Sequence, residues 1–459
     1  MNVEQPASAN DPGSGQKHGG GFLSSPGPVS AHWFQLFNAF SFQIVLGAPV
    51  IVFAKSLGAS STVLGIIASF TPLMTVFQLP AAQHLDRYGY RQFVLAGWGA
   101  RTFFIFLMAF VPLLVFLDAT AKIVVLMAAL FFFNLLRGIS SAAWMPWITE
   151  IVPENVRGRF LSVDQLFMYM GALLSLIASA VLMMGKVDPW EYCLVFLLSA
   201  FSATASLFVL RRIPEVPPSE KKARNSQKVP WRTMLAYPPF RELIIFNLLF
   251  MSVVGSLGVF TVEYLREVGH FDVSSVMYIS AFSFVGALIA LPFTGRIVDQ
   301  TGSKPLMRFA TAMFSAVIFL WFLAAANVVP TSMVLIATLN VFSGIASANF
   351  NLANARITMA TMPEMGRNHF FALFTVITSL GLGAAPVMWG LTLDMIGTYE
   401  AVTGVFHWKR HSIYFLALLV INIVAFLYIP RLHESPGAEG RESLSIYRRL
   451  KSLARFRHR

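Results

Sequence analysis

Apolar residues fill this chain in blocks of twenty or more, separated by short polar turns, and the block length is more telling than any finer periodicity. A helix rises about 1.5 Å per residue, so about twenty residues cover a hydrocarbon layer roughly 30 Å thick. Twelve blocks qualify, at about 31–54, 61–84, 93–117, 122–147, 160–185, 190–212, 240–264, 273–296, 305–328, 331–359, 368–396 and 410–430. A membrane barrel would instead read as alternating strands of about ten residues. The pattern therefore predicts an all-α integral membrane protein. Its one long polar connection, 213–239, holds Pro214, Pro217, Pro218, Lys221, Lys222, Arg224, Lys228 and Arg232 and splits the blocks six and six. The expected organisation is a disordered cytoplasmic tail (1–30), a six-helix bundle (31–212), a cytoplasmic linker (213–239), a second six-helix bundle (240–430) and a basic cytoplasmic tail (431–459).

The two halves carry matching punctuation. Leu85-Asp86-Arg87-Tyr88-Gly89-Tyr90-Arg91 follows the second block, and Gly295-Arg296-Ile297-Val298-Asp299-Gln300-Thr301-Gly302-Ser303-Lys304 follows the eighth. Each places an acid near a helix end, a glycine that permits a tight reversal, and cations suited to the headgroup layer. Gly138 in Arg137-Gly138-Ile139-Ser140-Ser141-Ala142 matches Gly344 in Ser343-Gly344-Ile345-Ala346-Ser347-Ala348, and Pro153-Glu154 matches Pro363-Glu364. The offsets, 213 for Asp86 to Asp299, 206 for the glycines and 210 for the prolines, are nearly constant. Two homologous halves in the same orientation follow.

Composition fits this reading. The chain is 56% hydrophobic and 12% charged, against roughly 25% charged for an ordinary soluble domain. The net charge of +12 does not indicate nucleic acid, because the cations sit in alternate loops. Arg87, Arg91, Arg157, Arg159, the 211–232 cluster, Arg296, Lys304, Arg308, Arg367 and both tails share one side. The other side holds Lys55, Lys122, Lys186 and Arg266 among Asp118, Asp188, Glu267 and Asp272, with Lys409 and Arg410 as the exception. The bias places both termini in the cytoplasm, in the plasma (inner) membrane. The single cysteine, Cys193, allows no intrachain disulfide. No phosphate-binding glycine loop is present, which argues against an ATP-driven pump.

With these residues in hand, the chain resembles the major facilitator superfamily over about 31–430. The second turn meets its loop signature fully through Gly295, Asp299, Gly302 and Lys304; the first keeps Asp86, Arg87, Gly89 and Arg91 but has Ala82 for the first glycine. The loop 152–159, with Pro153 and Arg157, is also similar. Two departures stand out. The fourth block reads Asn134-Leu135-Leu136-Arg137-Gly138, with Asn where many members have Arg, and the fifth lacks the Gly-Pro of drug/proton antiporters, having Gly171, Ser175 and Ser179 at a packing interval.

The resemblance implies a cytoplasmic gate of Asp86, Arg87, Gly89 and Arg91 with Gly295, Asp299, Gly302 and Lys304, the arginines engaging Glu150 and Asp164. The alternative is that these loop charges only fix topology. It also implies that the first, fourth, seventh and tenth helices line a cavity. These offer Gln35, Asn38 and Gln43; Asn134 and Arg137; Asn247 and Ser252; and Asn340, Asn349, Asn351 and Asn354, the last group being the densest cluster. An amide stranded in hydrocarbon costs several kcal/mol, so each binds either substrate or a neighbouring helix. Arg137 lies about 22 Å into its block and is either an anion ligand or the partner of Asp164 or Glu150. Arg101, nearer the interface, reads as a snorkelling or structural cation. His407 and His411 are four apart, but a lone pair points to an interfacial position rather than a metal site. The segment 443–459 alternates Leu444, Tyr447, Leu450, Leu453 and Phe456 with cations, as an amphipathic helix on an anionic leaflet would.

These readings converge on a monomeric carrier of a small solute, neutral or anionic because the lining blocks lack mid-membrane acids. It has no cofactor and no metal, the bilayer as its surroundings and a proton as candidate coupling ion. A transporter-like sensor or scaffold acting through its tails is the alternative, and a membrane enzyme the third.

Overall fold

The computed structural model describes residues 26–82, 84–215, 231–362 and 367–433. Most of the expected N-terminal tail, residues 216–230 of the linker and the expected amphipathic C-terminal helix lie outside the described residues. Twelve helices among them are long and apolar enough to cross a membrane: α1 (Gly27–Ser56), α2 (Ser61–Ala82), α3 (Tyr90–Leu113), α4 (Ala119–Ile148), α5 (Arg159–Leu182), α6 (Pro189–Leu210), α7 (Pro238–Glu267), α8 (Val273–Gly295), α9 (Ser303–Ala325), α10 (Met333–Thr361), α11 (His369–Ile396) and α12 (Arg410–Arg431). Each corresponds to one of the predicted blocks. A short antiparallel hairpin, β1 (Ala401–Thr403) and β2 (Phe406–Trp408), joins α11 to α12.

With twelve crossings, both ends of the chain lie on one side, called the terminal side here, and the even-numbered helices start on the far side. Those starts explain the far-side acids and serines. Ser60, Asp118 and Ser332 accept hydrogen bonds from backbone N–H groups in the first turns of α2, α4 and α10. Asp272 accepts from the Ser275 N–H at 3.0 Å and hydroxyl at 2.5 Å ahead of α8. Burial alone would raise the Asp272 carboxyl, but these hydrogen bonds and the Arg266 charge outweigh it and hold the group below the ordinary carboxylate range.

The packing repeats as the sequence does. In the first half α1 packs on α5 and α6, α2 on α4, α3 on α4 and α6; in the second half α7 packs on α11 and α12, α8 on α10, α9 on α10 and α12. The halves meet along α2 with α11 and α5 with α8, which are equivalent pairs. The repeated glycine is explained by one of these crossings. A Cβ on Gly138 would come within 2.1 Å of the Met74 carbonyl on α2, and one on Gly344 within 1.8 Å of the Ser283 carbonyl on α8. Only glycine lets these backbones approach, the usual device where lipid provides no hydrophobic drive.

The paired turns are equally alike. Gly89 (φ +73°) and Gly302 (φ +88°) break the chain immediately before α3 and α9 in a region closed to most side chains. Gly295 has no such demand, since nothing lies within 4 Å of where its Cβ would stand. That accounts for Ala82 at the matching position.

Gly344→Leu is expected to destabilise the protein by about 1–3 kcal/mol through overpacking. Gly99→Ala, on α3 with open space around it, should stay within about 0.5 kcal/mol. Melting midpoints of the purified variants check both, and a Gly344→Leu midpoint equal to that of Gly99→Ala would refute the packing account.

Candidate functional site

On the far side the seam between the halves is joined by charged groups. Glu263, fully buried on α7, receives three groups at one oxygen: Lys55 Nζ of α1 at 3.0 Å, the Ser61 hydroxyl of α2 at 2.6 Å and Arg410 Nη2 of α12 at 3.3 Å. Glu267 completes the group, accepting from Lys55 at 3.1 Å and from Arg410. Two acids and two bases thus join the halves with balanced charge. Alongside, the backbone N–H groups of Ser61 and Thr62 donate to Asp394 of α11 at 3.1 and 2.8 Å. A Cβ on Gly390 would strike the Ser61 carbonyl, and one on Gly65 the Pro386 carbonyl. Across the other crossing, the Ser274 hydroxyl donates to the Ala180 carbonyl at 2.9 Å.

This cluster resolves the exception in the loop charges. Arg410 faces Glu263 and Glu267, and Lys409 pairs with Glu400 at 3.0 Å. His411, expected at the interface, is instead 1% exposed behind Arg410. His407 sits in β2, so the two histidines share no helical face. Glu263, Glu267 and His411 have ligand atoms within 4.8 Å of one another. Lys55 and Arg410 already supply the positive charge that a metal ion would bring.

Beneath the seam lies a cavity of about 320 Å³ between α1, α7, α8 and α10, with Gln43, Thr261, Ser280, Ser283 and Asn340 among its lining. The α1 helix is interrupted at Gly47, where a Cβ would come within 2.4 Å of Gln43 Nε2. The glycine thus makes room for that amide. The other amides follow one rule: Asn134, Asn247, Asn340 and Asn349 each donate to the carbonyl four residues earlier, to Leu130, Leu243, Ile336 and Ile345. The amide oxygen is left for a second partner. Asn134 accepts from the Thr71 hydroxyl at 2.9 Å, and Asn247 from Asn354 at 2.9 Å.

The asparagine run on α10 does not form one cluster. Asn349 borders an apolar cleft with Thr294, Asn351 lies beside Tyr169 across the seam, and Asn354 turns to α7. A helix turns about 100° per residue, so neighbours in sequence part company in space. Gln35 is half-buried on α1.

Two expected cation placements change. Arg101 is 1% exposed, not snorkelling; it donates to Asn38 at 2.6 Å and lies against Phe42, Trp98 and Phe133. It stands midway along α3, too deep to reach either interface. Arg137 donates to the Thr71 carbonyl at 3.1 Å and has neither Asp164 nor Glu150 as partner. Asp164 faces His32 instead, at 3.7 Å, with the His32 ring against Phe160 and Phe167. Arg91 likewise bonds the Arg211 carbonyl rather than an acid. Glu150 is half-buried at the terminal end of α4, and Lys304 half-buried in the first turn of α9. The side chains of Asp86, Arg87 and Asp299 lie outside the described residues.

A twelve-helix bundle with two repeated halves, a polar cavity between them and a charged seam over one mouth is the architecture of a membrane carrier. The model of the Major Facilitator Superfamily matches residues 33–287 and 255–457, and the chain belongs to that family. Solved structures agree on the fold. The nucleoside transporter NupG is 12% identical at a TM-score of 0.69, over 89% of this chain and 100% of that one. A D-xylose–proton symporter is 15% identical at 0.69, over 88% and 96%. The xylose transporter XylE of E. coli, in its inward open conformation, is 15% identical at 0.67, over 91% and 98%. No curated protein matches the chain by sequence.

Glu263→Gln leaves Lys55 and Arg410 with one acid between them, and breaking a buried ion group typically costs about 3–5 kcal/mol. A cysteine placed at Gly258 on the cavity wall, in a Cys193→Ser background, should then react severalfold faster with an impermeant maleimide added from the far side. Equal labelling with and without Glu263→Gln would mean the seam does not hold that mouth shut.

Proposed function

We propose that the chain carries a small polar solute, neutral or anionic, across the cytoplasmic membrane by alternating access, with the arrangement described being the one open toward the termini. The observation that carries this reading is the charge-balanced far-side seam of Lys55, Glu263, Glu267 and Arg410 lying over a cavity with Gln43 and Asn340 in its wall. Toward the terminal side, Gln165 on α5 and Asn351 and Arg356 on α10 are exposed. The cation bias of the loops supports that side being the cytoplasmic one. The similarity to an inward open xylose transporter supports the same state. Neighbours that carry a nucleoside and a pentose support a small, hydroxyl-rich solute as the substrate class.

In the opposite state the far seam opens and the repeated turns latch the cytoplasmic mouth. Asp86, Arg87, Gly89 and Arg91 act in the first half with Glu150 nearby, and Gly295, Asp299, Gly302 and Lys304 in the second. Rocking of this kind needs only that each state be stabilised by contacts the other lacks. The proton, if one is coupled, is assigned to His32 and Asp164. They are the buried His–carboxylate pair that spans α1 and α5.

Uptake of nucleosides, sugars and small carboxylates into liposomes holding the purified protein tests the reading, and a panel with no transported member would refute it. For a transported solute, Gln43→Ala and Asn340→Ala should each raise KM about tenfold, the worth of one uncharged hydrogen bond of about 1–1.5 kcal/mol. Asp164→Asn should remove stimulation by an inward proton gradient while leaving solute exchange intact. Gradient stimulation surviving in Asp164→Asn would exclude the pair as the coupling site.

A further inference from the structure

We propose that Arg101 and Arg137 together form a binding site, within the first half, for a small soluble ligand bearing a carboxylate or phosphate group. The site extends the transport reading by naming the substrate class. Both guanidinium groups lie against one ring, Phe42, at 4.5 and 5.6 Å from its centroid. Their polar partners are neutral: the Asn38 amide oxygen for Arg101 and the Thr71 carbonyl for Arg137. Arg101 Nε and Nη1 and Arg137 Nε are buried N–H groups with no acceptor. Among the described residues neither arginine pairs with a carboxylate, and Asp164, one of the two acids expected beside Arg137, is turned to His32.

Two other arginines are paired: Arg266 donates to the Phe271 carbonyl, and Arg410 is held by two carboxylates. The aromatic rings around Arg101 offset its charge through their faces but accept no in-plane N–H, so its fork stays unfilled. Two like charges held together in hydrocarbon with three free donors are complementary to one shared anion. The planar guanidinium matches the oxygen spacing of carboxylate and phosphate. Arg137, half-buried where Arg101 is enclosed, is the group that an entering anion meets first.

The test uses the purified full chain in detergent at matched ionic strength. Phosphate or succinate at about 10 mM, against chloride, should raise the parent Tm by about 2 °C or more. The shift should vanish in Arg137→Gln and shrink in Arg101→Lys, which keeps the charge but loses the fork. No shift from either anion, the same shift in both variants, or a shift given only by phosphatidylglycerol would overturn the proposal. Should the variants fail to fold, phenylglyoxal labelling of the parent decides. Phosphate should slow modification of Arg137 severalfold as read by mass spectrometry of the peptide, and an unchanged rate would overturn the proposal. Anion stabilisation without solute flux would leave this site standing and remove the carrier reading. Flux without anion stabilisation would do the reverse.

Discussion

Hydrocarbon offers no hydrogen bonds, so every polar group in these spans must be satisfied by the protein or by water in a cavity. That constraint organises the interior. Four asparagines spend their N–H on the carbonyl one turn back, which keeps the helix whole and reserves the oxygen for a neighbouring helix. Thr71 to Asn134 and Asn354 to Asn247 are two such links, one in each half and each between spans distant in sequence. Glu263 applies the same rule to a full charge: completely buried, it is tolerated because Lys55, Ser61 and Arg410 converge on it. Arg101 and Arg137 are among the places where the rule is left unfulfilled.

On the proposed reading, the seam is a reversible closure. Within each half, crossings such as Gly138 on Met74 and Gly344 on Ser283 bring backbones together by removing side chains, and contacts of that kind are as close as packing allows. Between the halves, the far side combines such approaches, Gly65 on Pro386 and Gly390 on Ser61, with ion pairs and with N–H groups donated to Asp394. Ion pairs suit a joint that must part, because water entering an open mouth solvates the separated charges. Rigid halves and a wettable seam are what rocking about a central cavity requires.

Much of this was legible in the sequence. Block length alone gave twelve spans, and the structure has them. The glycines of the repeated turns were read as reversal points, and Gly89 and Gly302 have the positive φ that this demands. Side-chain partners were less legible, for a physical reason. Loop charges suggest topology, yet Lys55, Arg410 and Glu263 are remote in sequence and meet only when α1, α7 and α12 pack. Arg101 looked interfacial because depth was judged from an uncertain boundary, and the α10 asparagines looked like a cluster because sequence proximity hides the helical turn. One signal was available: Lys409 and Arg410 broke the loop-charge rule, and a cation on the wrong side invites a search for buried acids.

The duplication also shows where function has departed from scaffold. Twelve residues past the turn glycines stand Arg101 on α3 and Phe314 on α9, and Phe314 packs against Phe250 in the core. The glycine repeat aligns Arg137 with Ser343, and the proline repeat aligns Asp164 with Phe374. These three charges of the first half thus align with neutral residues in the second, while Gly138 and Gly344, Gly89 and Gly302 are kept. Packing that both halves need has stayed symmetric. The charges have not, and because a buried charge without a partner is expensive in hydrocarbon, their retention on one side alone points to chemistry that the second half does not share.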